Sequence, residues 1–209
     1  TISGNTFNGV SLLGVDNSTI DSNTFNTENF YGLGLWGSEF GSNVSQNSTV
    51  SNNDFNFNQV AATSSSIAGI AIRPGVNVAS IDFDGNTFND GGASSVPSAD
   101  VILRGLPGDD VLAAADITDS LGNPVAVSVQ LVGNAGDDRL IGGPQDDMFD
   151  GGDGTDVAVV ADNLSGGSPT PFDPLAFDFS GLTVTGGVVS GTLIGPDGTE
   201  TLAGIEVLE

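Results

Sequence analysis

Short stretches of alternating apolar and polar residues fill the first half of the chain, and two such patterns recur four times each. In the first pattern, an apolar residue is followed by Asn three places on and by Phe five places on. Its copies are Ile2/Asn5/Phe7, Ile20/Asn23/Phe25, Val50/Asn53/Phe55 and Phe83/Asn86/Phe88. In the second pattern, two apolar residues flank a single position, as in Val10/Leu12, Leu33/Leu35, Ile70/Ile72 and Val101/Leu103. Alternation with a period of two predicts half-buried β-strands for both patterns.

The segments between these strands differ in length. Successive Phe residues of the first pattern lie 18, 30 and 33 positions apart. Loops of different length can leave a parallel coil at its corners without disturbing the stacked strands. We therefore predict a right-handed parallel β-helix of about four rungs. The four Phe rings should stack inside it, and the four Asn side chains should form a hydrogen-bonded ladder. An antiparallel β-sandwich is the alternative arrangement.

The sequence style of residues 17–25, N-S-T-I-x-x-N-T-F, is similar to that of a known repeat family. This is the β-helix repeat family found in polysaccharide lyases, epimerases and related surface proteins. The resemblance implies the coil and leaves the chemistry open.

A different repeat follows at residues 133–159, which read GNAGDDRLI, GGPQDDMFD and GGDGTDVAV. Each unit has nine residues, turn glycines and an aspartate at its sixth position: Asp138, Asp147 and Asp156. An isolated unit at 105–113, GLPGDDVLA, has Asp110 at the same position. The last three residues of each unit should extend and point one apolar side chain inward, namely Leu140, Phe149 and Ala158.

Glycine-rich turns can present backbone carbonyl oxygens, and carboxylates add the hard anionic oxygens of which calcium takes six to eight. The expected ligands are the carboxylates of Asp110, Asp138, Asp147 and Asp156 with the turn residues Gly133, Ala135, Gly136, Gly152 and Gly154. Turns two units apart, 133–138 and 151–156, should share an ion. Gln145 replaces a turn glycine, which should make the middle turn the weakest site. Ordinary Asp-Gly turns between hairpins are the alternative.

The nine-residue units resemble the repeats-in-toxin nonapeptide GGxGxDxUx, whose copies stack into a calcium-loaded parallel β-roll. The resemblance implies Ca²⁺ as the cofactor. The fold class we expect is all-β: a right-handed parallel β-helix that continues into a calcium-binding parallel β-roll with a C-terminal β cap.

The expected segments are the helix at 1–104, the roll at 105–160 with an inserted hairpin at 114–132, and capping strands at 161–209. Within the last segment, residues 165–174 read as a loop, and turns are expected at Gly186–Gly187 and Pro196–Gly198. This tail resembles the segment that closes calcium β-rolls in type I-secreted proteins.

The composition and net charge of the chain restrict the classes of partner that it could bind. The chain has no Cys, no His, three basic residues and 27 acidic residues, for a net charge of −24. Such a charge would repel nucleic acids and anionic membranes, and no stretch is long and apolar enough to be inserted in a membrane. Eighteen of the acidic residues lie in 101–209, where the calcium pattern is. Because weak calcium sites need millimolar calcium, we expect an extracellular or cell-surface location. The resemblance of the tail to that of type I-secreted proteins implies type I secretion as the route.

The three basic residues are Arg73, Arg104 and Arg139, so Lys is absent as well as His and Cys. Most acid–base and nucleophilic schemes are then unavailable, which favours a role without catalysis and leaves enzyme activity open. Aligned strands place Trp36, Arg73 and Arg104 in one outward column, a candidate saccharide-binding site. The alternative is that each Arg neutralises nearby Asp.

The function we expect is that of a calcium-stabilised structural or adhesive segment of a larger secreted surface protein. Its partners would be calcium ions and either an acidic polysaccharide or neighbouring surface-protein subunits. The alternative is the C-terminal part of a polysaccharide lyase or uronate epimerase.

Overall fold

The computed structural model describes residues 2–7, 9–27, 31–37, 45–57, 67–73, 76–90, 98–143, 145–160, 178–195 and 198–209. Their regular structure is almost entirely β-strand. The chain divides into two compact units, one of Thr1–Ile102 with Asp116–Val125 and the other of Leu103–Ala115 with Ala126–Glu209. Residues 116–125 lie within the expected insertion at 114–132 and group with the first unit. The division at 104/105 and 160/161 stays a prediction.

In the first unit, strands follow one another in groups of three. In chain order they are β1 Ile2–Ser3, β2 Thr6–Phe7, β3 Val10–Leu13, β4 Thr19–Asp21, β5 Thr24–Thr27, β6 Tyr31–Trp36, β7 Ser48–Ser51, β8 Asp54–Phe57, β9 Ile67–Ile72, β10 Ile81–Asp84, β11 Thr87–Asp90 and β12 Ser98–Arg104, which crosses the unit boundary. Strands β1-β4-β7-β10 form one sheet, β2-β5-β8-β11 a second, and β3-β6-β9 lie side by side in a third. Neighbouring strands in these sheets pair in parallel, which confirms the coil and excludes the sandwich.

The core of this unit contains a column of stacked aromatic rings. The rings of Phe25 and Phe55 lie 4.9 Å apart and are inclined by 8°, and those of Phe55 and Phe88 lie 5.1 Å apart at 10°. Phe25 and Phe55 are fully buried, whereas Phe88 is half-buried. The predicted column is confirmed for these three, and the ring of Phe7 lies outside the described residues.

The predicted Asn ladder is also present at the corner between the first and second sheets. The backbone N–H of Asn23 donates to Oδ1 of Asn53 at 2.9 Å, and that of Asn53 donates to Oδ1 of Asn86 at 3.1 Å. Asn5 donates to Asn23 in the same way at 3.1 Å. Asn23 and Asn53 are buried, so the bonds from their N–H groups satisfy donors that water does not reach.

The residue before each ladder Asn has a left-handed backbone. It is Gly4 (φ 67), Ser22 (φ 55), Asn52 (φ 51) and Gly85 (φ 60) in successive rungs. This conformation is uncommon outside Gly and Asn, and it turns the chain sharply from one sheet into the next. The sequence pattern identified the ladder but not this turn.

Residues 116–125 run back against the first sheet. Thr118 bridges Asp82 in parallel, and the Phe83 N–H donates to its carbonyl at 2.8 Å. The chain then reverses, and the Val125 N–H donates to the Ile117 carbonyl at 2.9 Å. Alternation over 125–132 predicts a strand, but the next strand begins only at Val129. Val125, the first residue of that stretch, belongs to the reversal instead.

The second unit is a coil with two series of parallel strands. Its strands are β13 Val111–Ala113, β14 Val129–Ala135, β15 Arg139–Ile141, β16 Met148–Asp153, β17 Val157–Val159, β18 Asp178–Thr185, β19 Val188–Gly195, β20 Gly198–Ile205 and β21 Val207–Leu208. One sheet contains β14-β16-β20 and the other β13-β15-β17-β21, with parallel pairs throughout these two series. Leu140, Phe149 and Ala158 are at most 1% exposed, as predicted.

An antiparallel meander closes the described part of this unit. Strands β18 and β19 pair antiparallel around the predicted Gly186–Gly187 turn, and β19 pairs antiparallel with β20. Strand β20 pairs in parallel with β16 on its other side, so the meander covers the sheet edge that β16 would otherwise expose. The expected loop at 165–174 lies outside the described residues, as does Pro196 of the second expected turn.

Candidate metal centre

Three aspartates stack directly on one another at one edge of the second unit. The backbone N–H of Asp110 donates to Oδ1 of Asp138 at 2.8 Å, and that of Asp138 donates to Oδ1 of Asp156 at 2.9 Å. Strands β13, β15 and β17, which follow these residues, are in parallel register. The unit at 105–113, isolated in sequence, therefore stacks on the unit at 133–141.

The second carboxylate oxygen of two of these aspartates lacks a donor. Asp138 and Asp156 are 1% and 0% exposed. Oδ2 of each is buried, and neither has a hydrogen-bond partner among the described residues. Leaving a buried carboxylate oxygen uncompensated costs free energy, and a cation would compensate it.

The carboxylates of Asp110 and Asp138 each face a turn glycine, and we call the space beside such a glycine a cradle. A Cβ on Gly105 would lie 2.6 Å from Asp110 Oδ2 and 2.8 Å from the Gly133 carbonyl oxygen. A Cβ on Gly133 would collide with Asp138 Oδ2 and lie 2.6 Å from the Gly151 carbonyl oxygen. A carboxylate oxygen of one turn and a carbonyl oxygen of the next thus converge on space that only glycine leaves open.

The turns 133–138 and 151–156 lie against each other as predicted. Asn134 pairs with Gly152 and Ala135 with Asp153, and the Gly136 N–H donates to the Asp153 carbonyl at 2.9 Å. A Cβ on Gly152 or Gly154 would strike the carbonyl oxygen of Asn134 or Gly136. Both glycines also have positive φ, +104° and +155°, so this stacking requires glycine twice over. That the two turns share an ion stays a prediction.

Asp147, at the opposite edge, is held differently. Its Oδ2 accepts the Gly143 N–H at 2.5 Å, and its Oδ1 accepts the Val129 N–H at 2.8 Å. The residue is 1% exposed, and both of its carboxylate oxygens already accept hydrogen bonds. This is the turn in which Gln145 replaces a glycine.

Burial raises the pKa of all three buried carboxyls. For Asp147 desolvation is the largest cause and raises the pKa to about 6, against the lowering effect of the Gly143 and Val129 N–H groups. Desolvation also raises the pKa of Asp138 and of Asp156, and neighbouring carboxylates add to both shifts. Carboxyls crowded in this way favour either a proton or a bound cation.

The oxygen atoms that these turns offer to calcium come from the backbone as well as from side chains. The described residues contain no group of three or more His, Cys, Asp or Glu side chains of the kind that holds a metal by itself. The turns instead combine single carboxylates with carbonyl oxygens, which are the ligands calcium takes. Residues Asp110, Asp138 and Asp156 with Gly133, Ala135, Gly136, Gly152 and Gly154 are the candidates this edge brings together, whereas Asp147 lies at the other edge.

Two glutamates outside the predicted set of ligands join the carboxylate series. The Asp156 N–H donates to Glu206 Oε2 at 2.8 Å, and the Asp147 N–H donates to Glu200 Oε2 at 2.9 Å. No nonapeptide spacing marks them in the sequence, because the two lie only six positions apart.

The candidate saccharide residues divide between the two units. In the first unit, the Arg73 guanidinium lies 4.5 Å from the centre of the Trp36 ring, and both side chains are half-buried. The Tyr31 ring lies beside Trp36, since a Cβ on Gly34 would be 2.7 Å from Tyr31 Cε2 and 2.8 Å from Trp36 Nε1. Arg104 ends β12, in the second unit, and its place in the column stays a prediction.

Within the described residues, no helix has the length and apolar character needed to cross a bilayer. Comparisons with curated proteins and with solved structures gave no match. Residues 130–158 match the family model described as the RTX calcium-binding nonapeptide repeat (4 copies). This segment contains the turns of Asp138, Asp147 and Asp156, so residues 130–158 consist of RTX calcium-binding nonapeptide repeats, and repeats of this kind bind Ca²⁺.

Proposed function

We propose that the chain is a calcium-stabilised structural or adhesive segment of a secreted surface protein. The observation that carries the proposal is the pair of buried carboxylate oxygens, Oδ2 of Asp138 and of Asp156, that have no hydrogen-bond donor among the described residues. Calcium at the glycine cradles would compensate both and would tie successive rungs together. Folding of this unit would then be coupled to metal binding.

An extracellular location is supported by the same chemistry. RTX repeats are typical of secreted proteins, and outside cells millimolar calcium is available to fill weak sites. The chain contains no cysteine, so calcium would provide the cross-links that disulfides give other secreted proteins. Type I secretion would be the route that the repeats imply.

The experiment is hydrogen exchange measured by mass spectrometry on the full chain, with calcium and with a chelator. Calcium should protect peptides from 105–141 and 145–160 strongly, while peptides from 2–27 and 45–57 should change little. The first unit is the internal control, because its ladder uses Asn side chains in place of carboxylates. Equal exchange in both buffers across 105–160 would sink the proposal.

A second candidate function, contact with an acidic polysaccharide, is favoured by the Trp36–Arg73 pair. Trp36 Nε1 and Arg73 Nε are buried, and neither atom has a hydrogen-bond partner within the described residues. The Tyr31 hydroxyl is 2.9 Å from Ser11 Oγ, which fixes the ring at the edge of the pair. Aromatic rings and a guanidinium on one outward face are suited to a sugar ring and its carboxylate.

Intrinsic fluorescence tests this candidate directly, because Trp36 is the sole tryptophan. Alginate or pectate oligosaccharides should change its emission, whereas neutral oligosaccharides at the same ionic strength should not. Arg73→Ala should abolish the response, and Arg139→Ala, which removes the same charge from the other unit, should leave it intact. No response in the wild-type chain would dismiss the site.

The lyase or epimerase alternative needs catalysis in addition to binding. A lyase would generate unsaturated uronate, which absorbs in the ultraviolet, when the chain is incubated with alginate or pectate in calcium. Binding without this product would favour an adhesive role over the enzymatic one for this chain.

A further inference from the structure

The C-terminal strands continue the register of the calcium repeats although their sequence does not match the nonapeptide. Met148 pairs with Thr201 and Phe149 with Leu202, in the same parallel sense in which β14 pairs with β16. On the other sheet, Val157 pairs with Val207 and Ala158 with Leu208. Residues 198–209 therefore lie in the roll as one more rung, beyond residues 130–158 that match the repeat family.

Glu206 takes the position that an aspartate holds in the repeats. It precedes β21 as Asp156 precedes β17, and its Oε2 accepts the Asp156 N–H at 2.8 Å. The turn before it is shorter than the repeat turn, since only Gly204 and Ile205 separate it from Ala203, which pairs with Asp150. Glutamate has one methylene more than aspartate, and from this shorter turn its carboxylate still reaches the Asp156 N–H.

The carbonyl of Gly204 completes a regular series. The Gly133 carbonyl oxygen points at Gly105, and the Gly151 carbonyl oxygen points at Gly133. The Gly204 carbonyl oxygen likewise points at Gly151, where a Cβ would strike it and would also lie 2.5 Å from Asp156 Oδ2. Asp156 is 0% exposed, and its Oδ2 has no donor among the described residues.

We propose that residues 198–209 are a terminal rung of the roll, and that the Gly204 carbonyl and the Asp156 carboxylate together form its last calcium site. The repeats alone would leave Asp156 with only half of a site, because each cradle needs an oxygen from the following rung. This segment supplies that oxygen, so calcium holds the C-terminal meander onto the roll. The inference rests on calcium occupying the roll as proposed above.

Hydrogen exchange on the full chain tests the site through the peptide 198–209. In the wild-type chain, calcium should protect this peptide, and a calcium titration should give it the same midpoint as the peptide 151–160. Asp156→Asn keeps an oxygen that can accept the Asp138 N–H but removes the anionic oxygen. It should return 198–209 to calcium-free exchange and reduce the bound calcium by one ion per chain, while peptides from 105–141 stay protected.

Asp16→Asn is the matched control, because it makes the same Asp-to-Asn change at an exposed position of the first unit. It should behave as the wild type. Calcium protection of 105–160 with no effect on 198–209, or with a separate midpoint there, would overturn the terminal site and leave the calcium roll standing. An absence of calcium protection in all these peptides would instead overturn the proposed function. If Asp156→Asn unfolds the whole unit, the wild-type midpoints alone decide.

Discussion

Asp138 and Asp156 are joined by a hydrogen bond of 2.9 Å from the backbone N–H of the first to Oδ1 of the second. One oxygen of the Asp156 carboxylate thus fixes the neighbouring rung, while Oδ2 is buried without a donor. The two oxygens have separate tasks, and an amide side chain can substitute for the first of them only. This division makes the calcium sites open to clean mutational tests.

Replacing Asp138 by Asn should weaken calcium binding more than replacing Asp147 by Asn. Asp138 Oδ2 lacks a donor, whereas both oxygens of Asp147 already accept N–H groups. We expect a loss of affinity of about tenfold or more for Asp138→Asn, equivalent to roughly 1.4 kcal/mol per tenfold. Calorimetric calcium titration of both variants measures it, and equal losses would contradict the ranking.

Without calcium, the second unit should become more stable as the pH falls. Burial raises the pKa of Asp147 from 3.8 to about 6 in the folded state, so folding takes up a proton. The stabilisation is fully present below the unfolded value and is lost as the pH rises through about 6. Urea denaturation in a chelator, followed by circular dichroism, should show a higher midpoint at pH about 5 than at about 7. In Asp147→Asn this dependence should be weaker; an unchanged one would exclude Asp147 as a source.

Truncating Phe55 should destabilise the first unit severely. The ring is fully buried between those of Phe25 and Phe88, so Phe55→Ala opens a cavity inside the stack. We expect a loss of about 3–5 kcal/mol in the free energy of unfolding. Phe88→Ala should cost less because that ring is half-buried. Denaturant unfolding is measured in saturating calcium, which should keep the second unit folded while the first unfolds. Equal losses for Phe55→Ala and Phe88→Ala would contradict the expected difference.

Removing the Asn53 side chain should cost far more than removing that of Asn56. Asn53→Ala leaves the buried N–H of Asn23 without its acceptor, at a cost of about 1–3 kcal/mol. Asn56 is half-buried; its side chain accepts from that of Asn89 at 2.8 Å and donates to that of Asn26. Its removal should cost under about 1 kcal/mol. The same denaturation experiment compares the free energies of unfolding of the two variants. An Asn53→Ala variant as stable as the wild type would show that the ladder does not stabilise this unit.

Much of the fold could be predicted because both coils repeat their chemistry at visible positions. Phe25, Phe55 and Asn53 stand at constant offsets in successive rungs, so alternation and spacing together specify which side chains meet. The calcium turns were equally visible, since glycine and the sixth-position aspartate recur every nine residues.

The other features could not be predicted, because there the structure repeats while the sequence does not. Glu206 serves the rung before it as an aspartate would, but from a turn of different length, so no sequence spacing marks it. The stacking of Asp110 on Asp138 was hidden by the residues inserted between their units. Segments 116–125 and 198–209 take their places by pairing with strands far away in sequence, and local patterns do not record such partners.

The inner ladders share one direction: Asn23 donates its N–H to Asn53, and Asp138 donates to Asp156, always toward the C-terminal neighbour. During synthesis the donor is therefore made before its acceptor, and each newly formed turn must wait for a later one to satisfy it. A chain truncated between turns would leave a buried backbone N–H without its acceptor. Glu206 accepts the Asp156 N–H and so satisfies that donor.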